Sequence, residues 1–185
     1  MIELNVEQID QAERMLGHIP GAAPKAMANA INRAADSART EAARKVRETY
    51  YITHKDVINT IKIYRATSSD PSAMVLSRGS VMALPKFRVT PKRPQPKRKA
   101  AVVVRVKRGE GGPIKKAFVA RMKSGHIGVF KRAGKSRFPI DQMYGPSVPQ
   151  MLGAPRVSAW VEEKAADRLD QRLDHEIKRI LEAKE

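Results

Sequence analysis

Apolar positions recur three and four residues apart toward both ends of the chain and alternate with polar ones in the middle. Val6, Ile9, Ala12, Met15 and Leu16 share the spacing of one helical face, and the stretch from Gly17 to Pro20 ends that helix. A longer helix is predicted from Pro24 to about Tyr50, with Met27, Ile31, Ala34, Ala35, Ala38, Ala42, Val46 and Tyr50 in one stripe. Its proline falls in the first turn, where no amide donor is lost. The stripe is mostly alanine. Small side chains let another helix or another subunit come close, but each buries little area, so this helix needs neighbours. Thr53-His54-Lys55-Asp56 reads as a variant capping box opening a short helix that ends near Thr60. After Pro155 the helical pattern returns and runs to the end through Val157, Trp160, Val161, Ala165, Leu169, Leu173, Ile177, Ile180 and Leu181. Ser158 is the expected cap. Glu162 and Glu163 are expected in the first turn and Lys178 and Arg179 near the end, the sense that the helix dipole favours.

Between the helices the period falls to two. Ile61 to Ala66 alternates, and Ala73 to Leu76 can return beside it after the Ser68-Ser69-Asp70-Pro71 turn. Further strands are predicted over Val81 to Val89, Ala101 to Lys107, Ala117 to Met122 and His126 to Lys131, the last two joined by Lys123-Ser124-Gly125. Together these predict an antiparallel sheet. Two stretches interrupt it: Pro91 to Lys99, rich in proline and basic residues, and the glycine-rich Arg108 to Pro113. The first is expected as an extended, mobile loop and the second as a loop tip, so the sheet throws out a long basic hairpin.

Composition changes this picture in two ways. Of the 185 residues 42% are hydrophobic but only 5% aromatic, which predicts a thin, alanine-rich core in a single domain. The 36 basic residues against 19 acids give +17, a balance that goes with nucleic acid, an acidic partner or anionic lipid. Lipid is the weakest of the three. No run approaches the roughly 18 apolar residues of a membrane span, and the first residues lack the pattern of a signal peptide, so no membrane partner and a cytosolic chain are expected. With no cysteine, disulfides, thiolate metal sites and a cysteine nucleophile are excluded. The charge is local. From Lys86 to Arg137 there are 18 basic residues and one acid, Glu110, a net +17 that accounts for the whole imbalance and leaves the flanks together neutral. Lys92, Arg93, Lys97, Arg98, Lys99, Arg105, Lys107 and Arg108 are the residues expected to touch a polyanion, because uncompensated like charges repel unless one offsets them. Aromatics for stacking on bases are few here, Phe87, Phe118 and Phe130, so phosphate contact without base reading is expected.

Catalytic motifs are weak by comparison. Gly134-Lys135-Ser136 matches the end of a phosphate-binding loop, but the glycine required five positions earlier is Val129, and Arg137-Phe138-Pro139 does not open a helix. His18, His54, His126 and His175 lack metal-ligand spacing. Asp167, Asp170 and Asp174 share one side of the last helix, where a magnesium-dependent nuclease could use them, but Lys164, Arg168, Arg172 and Lys178 between them fit a solvated face better. No enzyme activity, metal or cofactor is expected.

The stretch Ala117-Phe118-Val119-Ala120-Arg121-Met122-Lys123-Ser124-Gly125-His126-Ile127-Gly128-Val129-Phe130-Lys131-Arg132, followed by Phe138-Pro139-Ile140 and Gly145-Pro146-Ser147-Val148-Pro149, resembles the minor tail protein Z family of lambda-like phages and prophages, and more distantly other tail completion proteins. The close likeness covers about 35 residues, and the helix placement extends it loosely over nearly the whole chain. The resemblance implies a virion protein at the head-proximal end of a long non-contractile tail, next to the tail terminator and head-tail connector, assembled in the bacterial host cytoplasm. It implies no catalytic residues. Gly125 and Gly128 are expected in a tight turn. Gly145, Pro146, Ser147, Val148 and Pro149 form a stiff extended run, read either as a packing surface for a subunit or partner or as an intrachain turn.

The expected fold class is therefore α+β, long N- and C-terminal helices around a twisted antiparallel β-sheet with a projecting basic hairpin. The domain is one unit: residues 1–60 helical, 61–145 β-rich with a mobile basic loop at about 90–113, and 146–185 an extended run and the last helix. Tail architecture favours a homo-oligomeric ring, expected as a hexamer, with the basic hairpins around a lumen that holds viral DNA. The alternative is a free sequence-independent nucleic-acid-binding protein, which would bind as a monomer with steep salt dependence.

Overall fold

The computed structural model describes residues 2–183. It begins with a two-residue strand, β1 (Ile2–Glu3), which the sequence pattern does not reveal, followed by α1 (Val6–Leu16). Asn5 caps α1 in a full capping box with Gln8, each side chain taking the other's backbone amide. Helix α2 (Ala22–Thr49) starts two residues before Pro24, and the predicted stripe is buried along it from Met27 to Val46. Thr53 caps α3 (His54–Ile58) through the Asp56 amide, as its spacing predicts.

The sheet region is made of β2 (Ile61–Tyr64), β3 (Ser72–Ser77), β4 (Met82–Ala83), β5 (Arg88–Thr90), β6 (Val102–Arg105), β7 (Gly112–Ile114), β8 (Ala117–Arg121), β9 (Ile127–Arg132), β10 (Ile140–Gln142) and β11 (Tyr144–Gly145). Every ladder is antiparallel, but the strands form four small sheets, β1-β3-β2, β10-β9-β8, β11-β4 and β5-β6-β7. The predicted strand over Val81 to Val89 is broken by a 3₁₀ turn at Leu84–Lys86, where Pro85 has no amide to give a ladder. Residues 112–114, expected within or beside a loop tip, form an edge strand instead, and an edge position tolerates the missing donor of Pro113.

The last elements are α4 (Val148–Leu152) and α5 (Pro155–Glu182). The residue before α5 is Ala154, with no side-chain cap. Ser158 lies inside the first turn, where its hydroxyl donates to the Pro155 carbonyl at 3.3 Å, and Glu162 and Glu163 fall in later turns. The helix therefore starts with proline at its first position rather than with a serine cap. Long helices at both ends around antiparallel strands make the chain α+β. Helix α2 serves two cores. Its first half packs with α1, the β1-β3 region and Leu169, Leu173 and Ile177 of α5. Its second half packs with Val57, Phe87, Val89, Val102, Val104, Val129, Met151 and Val157.

Candidate nucleic-acid interface

The basic residues are presented by the β5-β6-β7 sheet and the turns that serve it. Val89 and Val104 are directly opposite on β5 and β6 and are buried in the second core, so the alternation turns Arg88 and Arg105, also directly opposite, to the outer face. Residues 91–101 join these strands. Lys92, Arg93, Lys97, Arg98 and Lys99 are all exposed there, while Pro91 is buried at the base. A turn shapes this loop, with the Arg98 amide donating to the Gln95 carbonyl at 3.1 Å and its Nε to the Ala100 carbonyl at 3.2 Å.

The segment after β6 folds back on the end of α2. The Tyr51 amide donates to the Val106 carbonyl and the Arg108 amide to the Thr49 carbonyl, both at 2.8 Å, with a bridge between Tyr50 and Lys107. Tyr51 is thereby brought against two guanidinium groups, Arg108 at 4.9 Å and Arg88 at 5.4 Å from the ring centroid. Arg108 is fixed further by its Nε, which donates to the Arg47 carbonyl at 2.8 Å. An open hollow of about 590 Å³ lies here, bounded by Tyr51, Thr53, Lys86, Arg88, Lys92 and Arg108. Arg88 also borders a smaller hollow with Thr90, Val103 and Arg105, and Arg108 borders another with Arg44, Arg47 and Glu48.

Few carboxylates reach this face. Lys107 lies 3.7 Å from Glu110, and Lys86 is 2.8 Å from Asp56. Partial burial pushes the Asp56 carboxyl up, but hydrogen bonds from Lys86 and Thr53 and the charges of Lys86 and Lys55 outweigh it, holding its pKa below the usual carboxylate value. Among the described residues Arg88, Lys92, Arg93, Lys97, Arg98, Lys99, Arg105 and Arg108 form no ion pair with a carboxylate. Tyr51 and Arg88 were not among the expected contact residues. Arg88 is legible as the polar partner of Val89 in an alternating run, whereas Tyr51 joins the face only through the pairing of residues 49–51 with 106–108.

The run from Gly145 to Pro149 is not extended throughout. Gly145 ends β11, the buried Ser147 caps α4 in a capping box with Gln150, and Val148 and Pro149 form its first turn, with Val148 buried in the second core. A serine three residues before a glutamine, with proline at the second helical position, is a helix start that outweighs the extended habit of proline. Gly125 does occupy a turn, with φ of 83°, but Gly128 is a buried residue of β9 under the ring of Phe130.

The remaining motifs lie elsewhere on the fold. Gly134, Lys135 and Ser136 are exposed and no helix follows them. Gln8 and Gln11 of α1 donate to Asp170 and Asp174, and Lys164 takes Asp167 at 2.9 Å, so these acids tie helices together or meet a neighbouring lysine. Among the described residues no three histidine or acidic side chains come together as metal ligands.

A family model described as prophage minor tail protein Z matches residues 6–184. The tail completion protein of Escherichia phage N15 is 29% identical over 168 residues, which cover 86% of this chain and 85% of that protein. No solved structure matches.

Proposed function

The chain belongs to the prophage minor tail protein Z family, with the structural role in a phage tail that this membership carries, and from it we propose a position at the head-proximal end of a long non-contractile tail. There it completes the tail for joining to the head and helps position the DNA end. The whole chain acts as one unit, its work is assembly rather than catalysis, and its neighbours are the tail terminator and the head-tail connector. Assembly takes place in the host cytoplasm. Subunits associate as a ring, sixfold in keeping with tail symmetry, which directs the β5-β6 face and the loop of residues 91–101 toward a lumen that receives DNA. The single observation that carries the DNA-facing part is charge segregation, a net +17 confined to Lys86 to Arg137 with its arginines largely free of carboxylates.

The test is electron microscopy of particles assembled without this protein. Filled heads lacking joined tails, or tails with an unfinished upper end, are expected, and restored joining on addition of the purified protein. Normal, infectious particles without it would reject the role. A free nucleic-acid-binding protein, by contrast, would be absent from purified tails.

A further inference from the structure

The arginines of the β5-β6 face carry more information than their number. Arg88 and Arg105 stand directly opposite each other in the ladder. Like charges in that position destabilise a sheet. The burial of Val89 and Val104 fixes the register, so neither arginine can be turned away without exposing the core. Arg88 and Arg108 both lie against the Tyr51 ring, and Arg108 is held in place through both its amide and its Nε. A guanidinium held by backbone contacts loses less rotamer freedom when it binds, which favours affinity. Three hollows adjoin along this line, sharing Arg88 and Arg108. Lys86 is occupied by Asp56, and Glu48 is within 3.6 Å of both Arg44 and Lys45, whereas Arg88, Arg105 and Arg108 have no carboxylate partner among the described residues and share these hollows with the unpaired Lys92 and Arg47.

We infer that Arg88, Arg105 and Arg108, with Tyr51 as the residue that positions two of them, form a preorganised site for successive phosphates of a nucleic-acid backbone. The inference rests on the DNA-facing reading above and sharpens it, moving the main contact from the loop of residues 91–101 to the sheet beneath. Guanidinium forks match phosphate oxygens in pairs. Two guanidinium groups already lie within 5.4 Å of the Tyr51 ring centroid, where they compete with a base for the ring, and the site reads phosphate rather than base.

The full chain is titrated with a labelled duplex of random sequence, about 20 base pairs long, at salt from about 50 to about 300 mM, where each lost phosphate contact lowers the slope of log K against log salt by about 0.9. Arg88→Gln/Arg108→Gln is expected to lower the slope by about two and Arg105→Gln alone by about one, whereas Lys97→Gln/Arg98→Gln/Lys99→Gln lowers it by less than one. Tyr51→Ala weakens binding several-fold with no change of charge, and Tyr51→Phe does not. Melting curves accompany each variant. Arg105→Gln relieves a cross-strand repulsion and keeps its stability, so it decides the matter if the double variant fails to fold. A wild-type slope in Arg105→Gln, a larger loss from the loop variant than from Arg88→Gln/Arg108→Gln, no duplex binding at low salt, or equal competition by polyglutamate would each overturn the site. Particle morphology tests the tail role separately, so failure of one reading is distinguishable from failure of the other.

Discussion

Gly145 shows how tightly one residue is specified. A β-carbon there would come within 2.6 Å of Cε2 and 3.1 Å of Cζ of Phe87. Phe87 is only 6% exposed and belongs to the second core, so displacing its ring disturbs the packing there. Gly145→Ala is expected to cost about 1–3 kcal/mol through overpacking. The measurement is urea unfolding, with a lowered midpoint at unchanged m-value, and a midpoint equal to wild type would mean that the ring yields freely. The same contact bears on what was legible. Gly145 belongs to the stretch that carries the resemblance in sequence, but in the fold it packs between β11 and the segment before β5, which no local pattern announces. Ser147 was equally visible and differently used, since its spacing to Gln150 is a capping signal hidden by Pro146 and Pro149.

At the scale of elements, periodicity located every long helix to within a few residues because α2 and α5 each bury a long stripe, while α1 buries Ala12 and Leu16 of its predicted face and leaves Val6 and Met15 exposed. The β2-β3 and β8-β9 hairpins were equally legible, since alternation and turn chemistry agree. Where prediction failed, a non-local partner decided: β1 exists because β3 offers it an edge, β7 because β6 does. The candidate site divides in the same way. Its charge is a sequence property, but its geometry depends on residues 49–51 lying beside 106–108, a pairing across more than fifty residues. Short α3 links these levels. Thr53 caps it, and Asp56 in its first turn reaches Lys86 in the 3₁₀ turn, tying the helix to the base of β5. Because the folded pKa of Asp56 is depressed, its contribution is present above the unfolded carboxylate pKa of about 3.9 and is lost as pH falls through the lower folded value. Asp56→Asn is therefore expected to lower stability by about 1 kcal/mol or less at neutral pH. The gap between wild type and variant should close in acid, in denaturation series run from neutral pH to below the carboxylate range. A gap that persists in acid would assign the effect to packing instead of charge.

Across the whole molecule two economies meet. The first core is largely alanine along α2, which lets α5 approach closely but gives little area per side chain, so the fold depends on length of contact more than on large residues. The second core carries the valine-rich strands β5 and β6 that display the basic face, and α2 runs through both cores, so the strands that bear the repulsion pack on the same helix as the alanine-rich half. The attractive pairs are local: of those formed, several are between neighbours on one helix and most have an exposed partner, where each contributes little. The repulsion is long-range and one-signed. Raising salt from about 20 to about 300 mM shortens the Debye length from about 20 Å to about 6 Å, which removes more of the second than of the first. The isolated protein is therefore expected to melt higher as sodium chloride rises, each kcal/mol of relieved repulsion corresponding to about 2–4 °C. Short duplex DNA at low salt should raise the midpoint as well, by binding the folded chain in preference to the unfolded one. In the Arg105→Gln variant the salt effect should be smaller, since one of the two facing charges is gone. A midpoint that falls steadily with salt would place the dominant electrostatic term in the ion pairs and show that the uncompensated face costs the fold little.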